Sequence, residues 1–372
     1  MLWGRHRGGI DLFSPRMTVL HYTGYTREEG GIVTVIRALA AAGRFAVVHG
    51  VSPGIASANA DRVPALERWV GPPIVGEEIN LWNLWRARRV AQAARAWLQA
   101  EPDRIFHGHS RAGLLVALWL QWYGETRVVA SVHCYGRQRW FYRWAAGRLG
   151  DRIFWLTPAM RRYYGVAGNG WDQCLPGGVD VTAVPLRTDA PAAGRLRLGG
   201  AGFLVAWKRW DLVVAALAQL PEEARGRVTF EHIGGNAEGT TDACGTELRA
   251  LTARHGLDQS IRWCGAEPSS QRLLQAIDGL VVPSHQEPYS MILQEALAAG
   301  VPVIAADSGG PADVVLPGVN GALFADGDAA ALAVLITTWW RNFPAFDRAA
   351  IRGSARRADD VAVRWQEIYA QL

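Results

Sequence analysis

The chain has 372 residues, 49% of them hydrophobic and 20% charged, which excludes a disordered or collagen-like polypeptide and at this length predicts two folded domains. Its net charge of +5 is uneven: residues 1–180 carry 22 basic and 13 acidic side chains, residues 181–372 carry 17 and 21. No stretch approaches the roughly 18 apolar residues of a membrane span, and no leader with a small-residue cleavage site is evident, so a soluble or peripheral cytoplasmic protein is expected.

Residues 1–16 lack a sustained period and read as a loose leader before a first strand, Met17 to His21. A glycine loop, Thr23 to Gly31, enters a helix from Ile32 to Ala42 with apolar residues at helical spacing. The unit then recurs as a strand at Phe45 to Val51, a helix at Asn80 to Ala100, a strand at Arg104 to His107, a helix at Arg111 to Tyr123 and a strand at Arg127 to His133. Such alternation predicts a parallel sheet covered on both faces. Pro176-Gly-Gly178, Pro185 and the Asp189 to Gly194 stretch interrupt the pattern, which divides the chain into domains at 1–184 and 185–350, with 351–372 as a C-terminal helix free to return to the first domain.

In the second domain, strands are predicted at Gly200 to Val205, Val228 to Ile233, Ile261 to Cys264, Gly279 to Val282 and Val301 to Ala305. Helices are predicted between them at Asp211 to Leu220, Thr246 to His255, Ser269 to Ala276 and Ser290 to Ala299. The fold class is therefore α/β with two doubly wound sheets, whose ligands bind at the carboxyl ends of the strands. The four cysteines, Cys134, Cys174, Cys244 and Cys264, are widely separated and no histidine pair sits at helical metal-binding spacing. Reduced thiols and no metal are expected.

The densest chemistry runs from Val282 to Ile304. Glu287 lies in a loop, Pro288 leads into a helix, and Glu295 follows roughly 8–10 Å further on at about 1.5 Å rise per residue. The N–H groups of Ser290, Met291 and Ile292 at the helix start form an anion site. A phosphate flanked by two carboxylates at this separation describes a nucleotide sugar, with Glu287 on sugar hydroxyls and Glu295 on the ribose diol. Helix-dipole preference or solvation would explain either glutamate alone, but Glu295 sits among Leu293, Ala296 and Leu297, where an unpaired charge is costly. Lys208 is the single lysine against 38 arginines; it is either a chance survivor or a compact ammonium doing what a guanidinium cannot.

The segment resembles the signature of the retaining family 4 glycosyltransferases of the GT-B fold, with two glutamates eight apart followed by an apolar-Ala-Ala-Gly-apolar-Pro-Val-Ile stretch. Further similarity lies in Asp307-Ser-Gly-Gly-Pro-Ala-Asp313, Asn320-Gly321, Ile233-Gly234 and Leu175-Pro-Gly-Gly-Val-Asp180. The resemblance implies two Rossmann-like domains facing across a cleft. It implies Lys208 on the donor diphosphate, with Arg209 or an arginine of the first domain as the substitute for the family's usual arginine, whose position Phe203 occupies. Ser290 stands where the family usually has Gly, and Asp313 where it has Glu. It also implies Glu287, His133 and Lys208 as the catalytic set, and Gly30, Gly31, Gly234, Arg262, Trp263, Tyr289, Ser290, Met291, Ile292 and Glu295 as further donor-binding positions. Arg262 and Trp263 would offer backbone to the base, although packing also explains the tryptophan.

On the acceptor side the same likeness implies His109, Arg111 and Arg137. The partners implied are a UDP- or GDP-sugar donor and a saccharide or lipid-linked acceptor, with no nucleic acid and no metal or other cofactor. Bacterial glycan or glycolipid synthesis is the expected setting; an epimerase of the same architecture and a non-catalytic nucleotide-sugar-binding protein are the alternatives. Aromatic and arginine residues from Trp82 to Arg89 and from Arg137 to Arg148 suit a membrane interface at its inner face, an acceptor cleft, or core packing.

Overall fold

The computed structural model describes residues 17–24, 30–53, 66–73, 79–168, 172–189, 191–236, 241–267 and 269–372. The expected leader, Glu29 and most of the Thr23 to Gly31 loop lie outside the described residues.

The first half contains β1 (Thr18–Tyr22), α1 (Gly31–Ala42), β2 (Ala46–Val51), β3 (Glu67–Val70), α2 (Leu81–Ala100), β4 (Arg104–His109), α3 (Ser110–Trp122), β5 (Val128–Val132), α4 (Arg139–Leu149), β6 (Ile153–Trp155) and α5 (Pro158–Tyr164). Its strands form one parallel sheet in the order β3-β2-β1-β4-β5-β6. Side chains alternate across it: Leu20, Tyr22, Phe106, Val128 and Ala130 face one core cluster, while Val19, Ile105 and Val129 face another.

The second half contains β7 (Leu196–Ala201), α6 (Trp210–Ala218), β8 (Val228–Ile233), α7 (Ala243–Arg254), β9 (Ile261–Trp263), α8 (Gln271–Ala276), β10 (Gly279–Val282), α9 (Met291–Ala298), β11 (Val303–Ala306), α10 (Gly310–Val314), β12 (Gly321–Phe324), α11 (Ala329–Arg341), α12 (Arg348–Gly353) and α13 (Ala358–Tyr369). Its sheet is also parallel, in the order β12-β11-β10-β7-β8-β9. The helix α13 does not stay with it. Val361, Ala362, Trp365 and Tyr369 pack with Val19, Leu39, Ile105 and Phe154 of the first half. Where the chain crosses, the Val179 N–H donates to the Arg356 carbonyl and the Ala358 N–H to the Val179 carbonyl, each at 2.9 Å.

Three differences from the sequence reading have physical causes. The strand expected at Gly200 to Val205 is β7, four residues earlier, because Gly199 and Gly200 lie inside it. A Cβ on Gly200 would stand 2.6 Å from Trp210 Cζ3, so neighbouring rings fill the room a side chain would need. The edge strand β3 was not foreseen, since its Glu-Arg-Trp-Val sequence is mostly exposed and carries no apolar alternation. The three-residue β6 is too short to show a period.

Candidate active site

In the second sheet β7 and β10 are neighbours, and the chain runs outward from them in opposite directions. The loops after these strands border the crevice where doubly wound sheets bind ligands. Lys208 comes from the first loop and Glu287 from the second, and Lys208 Nζ donates to Glu287 Oε2 at 2.6 Å. Their side chains are 13% and 6% exposed, so the pair is largely withdrawn from water. The ammonium also stands 4.4 Å from the centre of the Trp207 ring, a cation–π distance.

The Glu287 loop is held through its backbone. The Glu287 carbonyl accepts from Gly310 N–H at 2.7 Å, and Gln286 N–H donates to Ser308 Oγ at 2.7 Å. Gly309 has φ +70°, and a Cβ there would lie 2.4 Å from the Glu287 carbonyl oxygen; only glycine lets the two backbones meet. Three non-glycine residues nearby are also left-handed, Arg209 (φ 53°), Gln286 (φ 51°) and Ser290 (φ 70°). Each such residue costs on the order of 1–3 kcal/mol, which the surrounding contacts must offset.

The helix α9 starts at Met291 behind Ser290, whose side chain makes no capping bond and whose Oγ is buried without a partner. The first-turn N–H groups, including that of Ile292, have no intrahelical acceptor and point toward the loop that carries Glu287. A Cβ added to Gly31 would come 3.8 Å from Met291 Cγ. The starts of α1, capped by Gly30 at φ 95°, and of α9 therefore meet across the two halves. Further along α9, Glu295 accepts a hydrogen bond from Ser270 Oγ. Burial pushes its carboxyl above the ordinary range, and the Ser270 bond only partly opposes this.

Several expected donor residues have their side chains engaged elsewhere. Tyr289 is 4% exposed and buried in the first-half core cluster, where burial raises its phenol to about 12. Arg209 forks onto Asp211, with Nε to Oδ1 and Nη2 to Oδ2 both at 3.1 Å. Arg262 pairs with Glu231 on the neighbouring strand, and Trp263 donates through Nε1 to Thr252 Oγ1 at 3.1 Å. Gly234 packs on the loop after β7: a Cβ there would lie 1.9 Å from the Gly202 carbonyl oxygen. Phe203 offers no cation and is partly exposed.

In the first half, strand register collects histidines that the sequence scatters. His49, His21 and His107 are cross-strand partners on β2, β1 and β4, and His109 follows two residues later on the same face. His21 Nδ1 and His109 Nε2 are 2.9 Å apart, and His109 Nδ1 and His133 Nε2 are 2.8 Å apart. His107 is held by Ser131 Oγ at 2.8 Å and by the Tyr369 hydroxyl of α13 at 2.6 Å. Burial is the leading cause that lowers all four rings: His21 to about 3, His133 to about 4, and His107 and His109 well below the ordinary value. Arg111 donates through Nε to the Tyr142 hydroxyl at 3.1 Å, whereas Arg137 is exposed. Tyr135, which the sequence did not single out, has a buried hydroxyl that burial, first, and the nearby charges of Asp313 and Glu287 keep protonated, against the opposing effects of Thr157 and Arg162. Its only sequence signal is its place two residues after His133.

Two sets of side chains among the described residues could converge on a metal ion, His21 with His107 and His109, and Glu231 with Cys264 and Glu267. In the first, His107 and His109 have both ring nitrogens in hydrogen bonds. In the second, Arg262 and Arg272 already engage Glu231, and Arg272 also engages Glu267.

Two doubly wound parallel sheets with interleaved helices are the α/β architecture of GT-B glycosyltransferases. The family described as Glycosyltransferase Family 4 matches residues 29–183, and that described as Glycosyl transferases group 1 matches residues 195–342; the chain belongs to this glycosyltransferase family. A D-inositol 3-phosphate glycosyltransferase of Xylanimonas cellulosilytica is 34% identical over 218 residues, which are 53% of this chain and 50% of that relative. The chain thus spans about half the length of this curated relative. A glycogen synthase of Mycobacterium tuberculosis is 25% identical over 79% of this chain and 74% of its own length. The fold is shared with Anabaena Alr3699/HepE, solved in complex with UDP-glucose, at a TM-score of 0.74 and 19% identity, over 96% of this chain and 100% of that one.

Proposed function

We propose that the chain transfers a sugar, a hexose in the first instance, from a nucleoside diphosphate sugar to an acceptor hydroxyl with the anomeric configuration kept. The observation that carries this reading is the Lys208–Glu287 pair at 2.6 Å beside the uncapped start of α9. As the donor enters, Lys208 turns to the diphosphate while the first-turn amides take its outer oxygens, so the charge growing on the leaving group meets groups already in place. Glu287, relieved of the ammonium, accepts hydroxyls of the sugar and orients it without attacking it. Charge compensation of this kind calls on no metal ion or other cofactor. The departing phosphate, on the same face as the acceptor, takes the acceptor's proton.

A uridine nucleotide is the favoured donor, because the similar fold of Anabaena HepE holds UDP-glucose. Glu295, at its buried post on α9, hydrogen-bonds the ribose diol. The acceptor, a saccharide or a lipid-linked saccharide of a bacterial glycan, lies against His133, with the buried His109 behind it. Contact with the inner face of a membrane fits the exposed Trp82 (70%) and Trp140 (63%) on α2 and α4, with Arg89 over Trp85 and Arg148 over Trp144. No helix among the described residues is long and apolar enough to cross a membrane.

The test is nucleotide release from UDP- and GDP-sugars with and without saccharide acceptors. Acceptor-dependent release with product of unchanged anomeric configuration supports the reading. Isomerisation of the donor alone, or binding without release, overturns it in favour of an epimerase or a binding protein.

A further inference from the structure

We propose that His21, His109 and His133 form a hydrogen-bond chain of one fixed direction, which holds His133 with its proton on Nδ1 and so presents a donor, rather than a base, to a sugar or acceptor oxygen. The ligand part of this inference rests on the glycosyl-transfer reading; the direction of the chain does not.

The argument is a count of protons. A neutral imidazole has one N–H and one lone pair. The contacts His21 Nδ1 to His109 Nε2, at 2.9 Å, and His109 Nδ1 to His133 Nε2, at 2.8 Å, each need one donor and one acceptor. Two arrangements satisfy both. In one, every N–H points toward His133: His21 donates from Nδ1, His109 donates from Nδ1, and His133 accepts at Nε2 and keeps its proton on Nδ1. In the other every N–H points inward, and His21 must carry its proton on Nε2. That atom is buried and has no partner among the described residues, and the whole His21 side chain is inaccessible. An orphaned buried N–H is rarer and costlier than an orphaned lone pair, so the outward arrangement is the stable one.

The surroundings keep the chain neutral and isolated. Burial lowers the three rings far enough that none carries a second proton near neutral pH. His107 stacks on His109 with ring centres 4.1 Å apart, yet stays out of the chain because Ser131 and Tyr369 hold both its nitrogens. His133 is the member that is not fully buried, and its Nδ1 is the open end. His21 and His109 are therefore positioning residues for His133. They decide that this position stabilises an oxygen lone pair and does not accept a hydroxyl proton.

The experiment uses the full chain labelled with 15N-histidine, in which long-range 1H–15N correlation reads the tautomer of each ring. Protonated Nδ1 and bare Nε2 on His133 are expected; a proton on Nε2 of His133 overturns the proposal, and this readout needs no variant. In a second arm His109→Asn keeps an amide donor where Nδ1 stands, and His109→Leu removes it. His109→Leu should release His133 into a tautomer mixture and weaken UDP-glucose turnover or binding about three- to tenfold, as expected for one hydrogen bond, while His109→Asn restores most of it. Equal loss in both variants, or an unmixed His133 tautomer in His109→Leu, also overturns the chain. Wild-type protein that binds neither UDP- nor GDP-sugars overturns the proposed function instead, and the tautomer measurement then judges the direction by itself.

Discussion

Replacing Lys208 by methionine removes the ammonium while keeping an unbranched stem against Trp207. Glu287 is then left as a carboxylate whose side chain is 6% exposed and has lost the donor at 2.6 Å. Breaking a buried pair by deleting one partner costs about 3–5 kcal/mol, and the 13% exposure of Lys208 admits enough water to place the loss near the lower figure. For a domain of this size about 3 kcal/mol corresponds to a fall in Tm of roughly 6–12 °C. Adding Glu287→Gln removes the stranded charge, so the double variant should recover most of that fall, and the cycle should show a coupling of about 2 kcal/mol. Donor affinity behaves differently: both the single and the double variant lack the ammonium, and UDP binding by calorimetry should weaken more than about tenfold, or about 1.4 kcal/mol, in each. Stability losses that simply add in the double variant, together with unchanged UDP affinity in Lys208→Met, would refute the reasoning.

Gly309→Ala forces a side chain into a left-handed position 2.4 Å from the Glu287 carbonyl oxygen; about 1–3 kcal/mol of stability should go, and transfer with it, with scanning calorimetry and nucleotide release as the readouts. Glu295→Gln should raise Tm at pH 7 and leave it unchanged near pH 4. A carboxyl raised by burial destabilises the fold only once pH exceeds its ordinary value of 4.5. The same change should weaken UDP binding more than about tenfold, and a Tm that falls at pH 7 refutes it. The histidines act in the opposite sense. His21 and His133, lowered from 6.5 to about 3 and 4, make the unfolded chain bind more protons below pH 6.5. Their stabilising share is therefore complete above 6.5 and lost as pH falls toward 4. His21→Phe should flatten the slope of Tm against pH in that window, and an unaltered slope would show that these rings do not set it.

The parallel alternation of strands and helices was legible because it is a local pattern: apolar spacing marks a helix or strand, and glycine and proline mark its ends. The same locality limits the reading. Gly200 looks like the start of a strand, and only the packing of Ile277 and Leu273 against Gly199 and of the Trp210 and Phe230 rings against Gly200 shows that both glycines lie within it. Tyr289 sits in the middle of the donor motif, yet its ring belongs to the first-half core, because the side-chain directions of a turn depend on what packs beside it.

Residue types, their spacing along single elements and the solitary lysine of a chain otherwise built with arginine were determined by the sequence itself. Which strands became neighbours was not. Parallel pairing brings together residues tens of positions apart, and the register of β1, β2 and β4 set His49, His21, His107 and His109 side by side, with His109 hydrogen-bonded to both His21 and His133. Lys208 and Glu287 are 79 residues apart and meet at 2.6 Å only because β7 and β10 lie side by side. Separation along the chain carries no record of such contacts, since the free energy that selects them comes from burying both faces of a sheet at once.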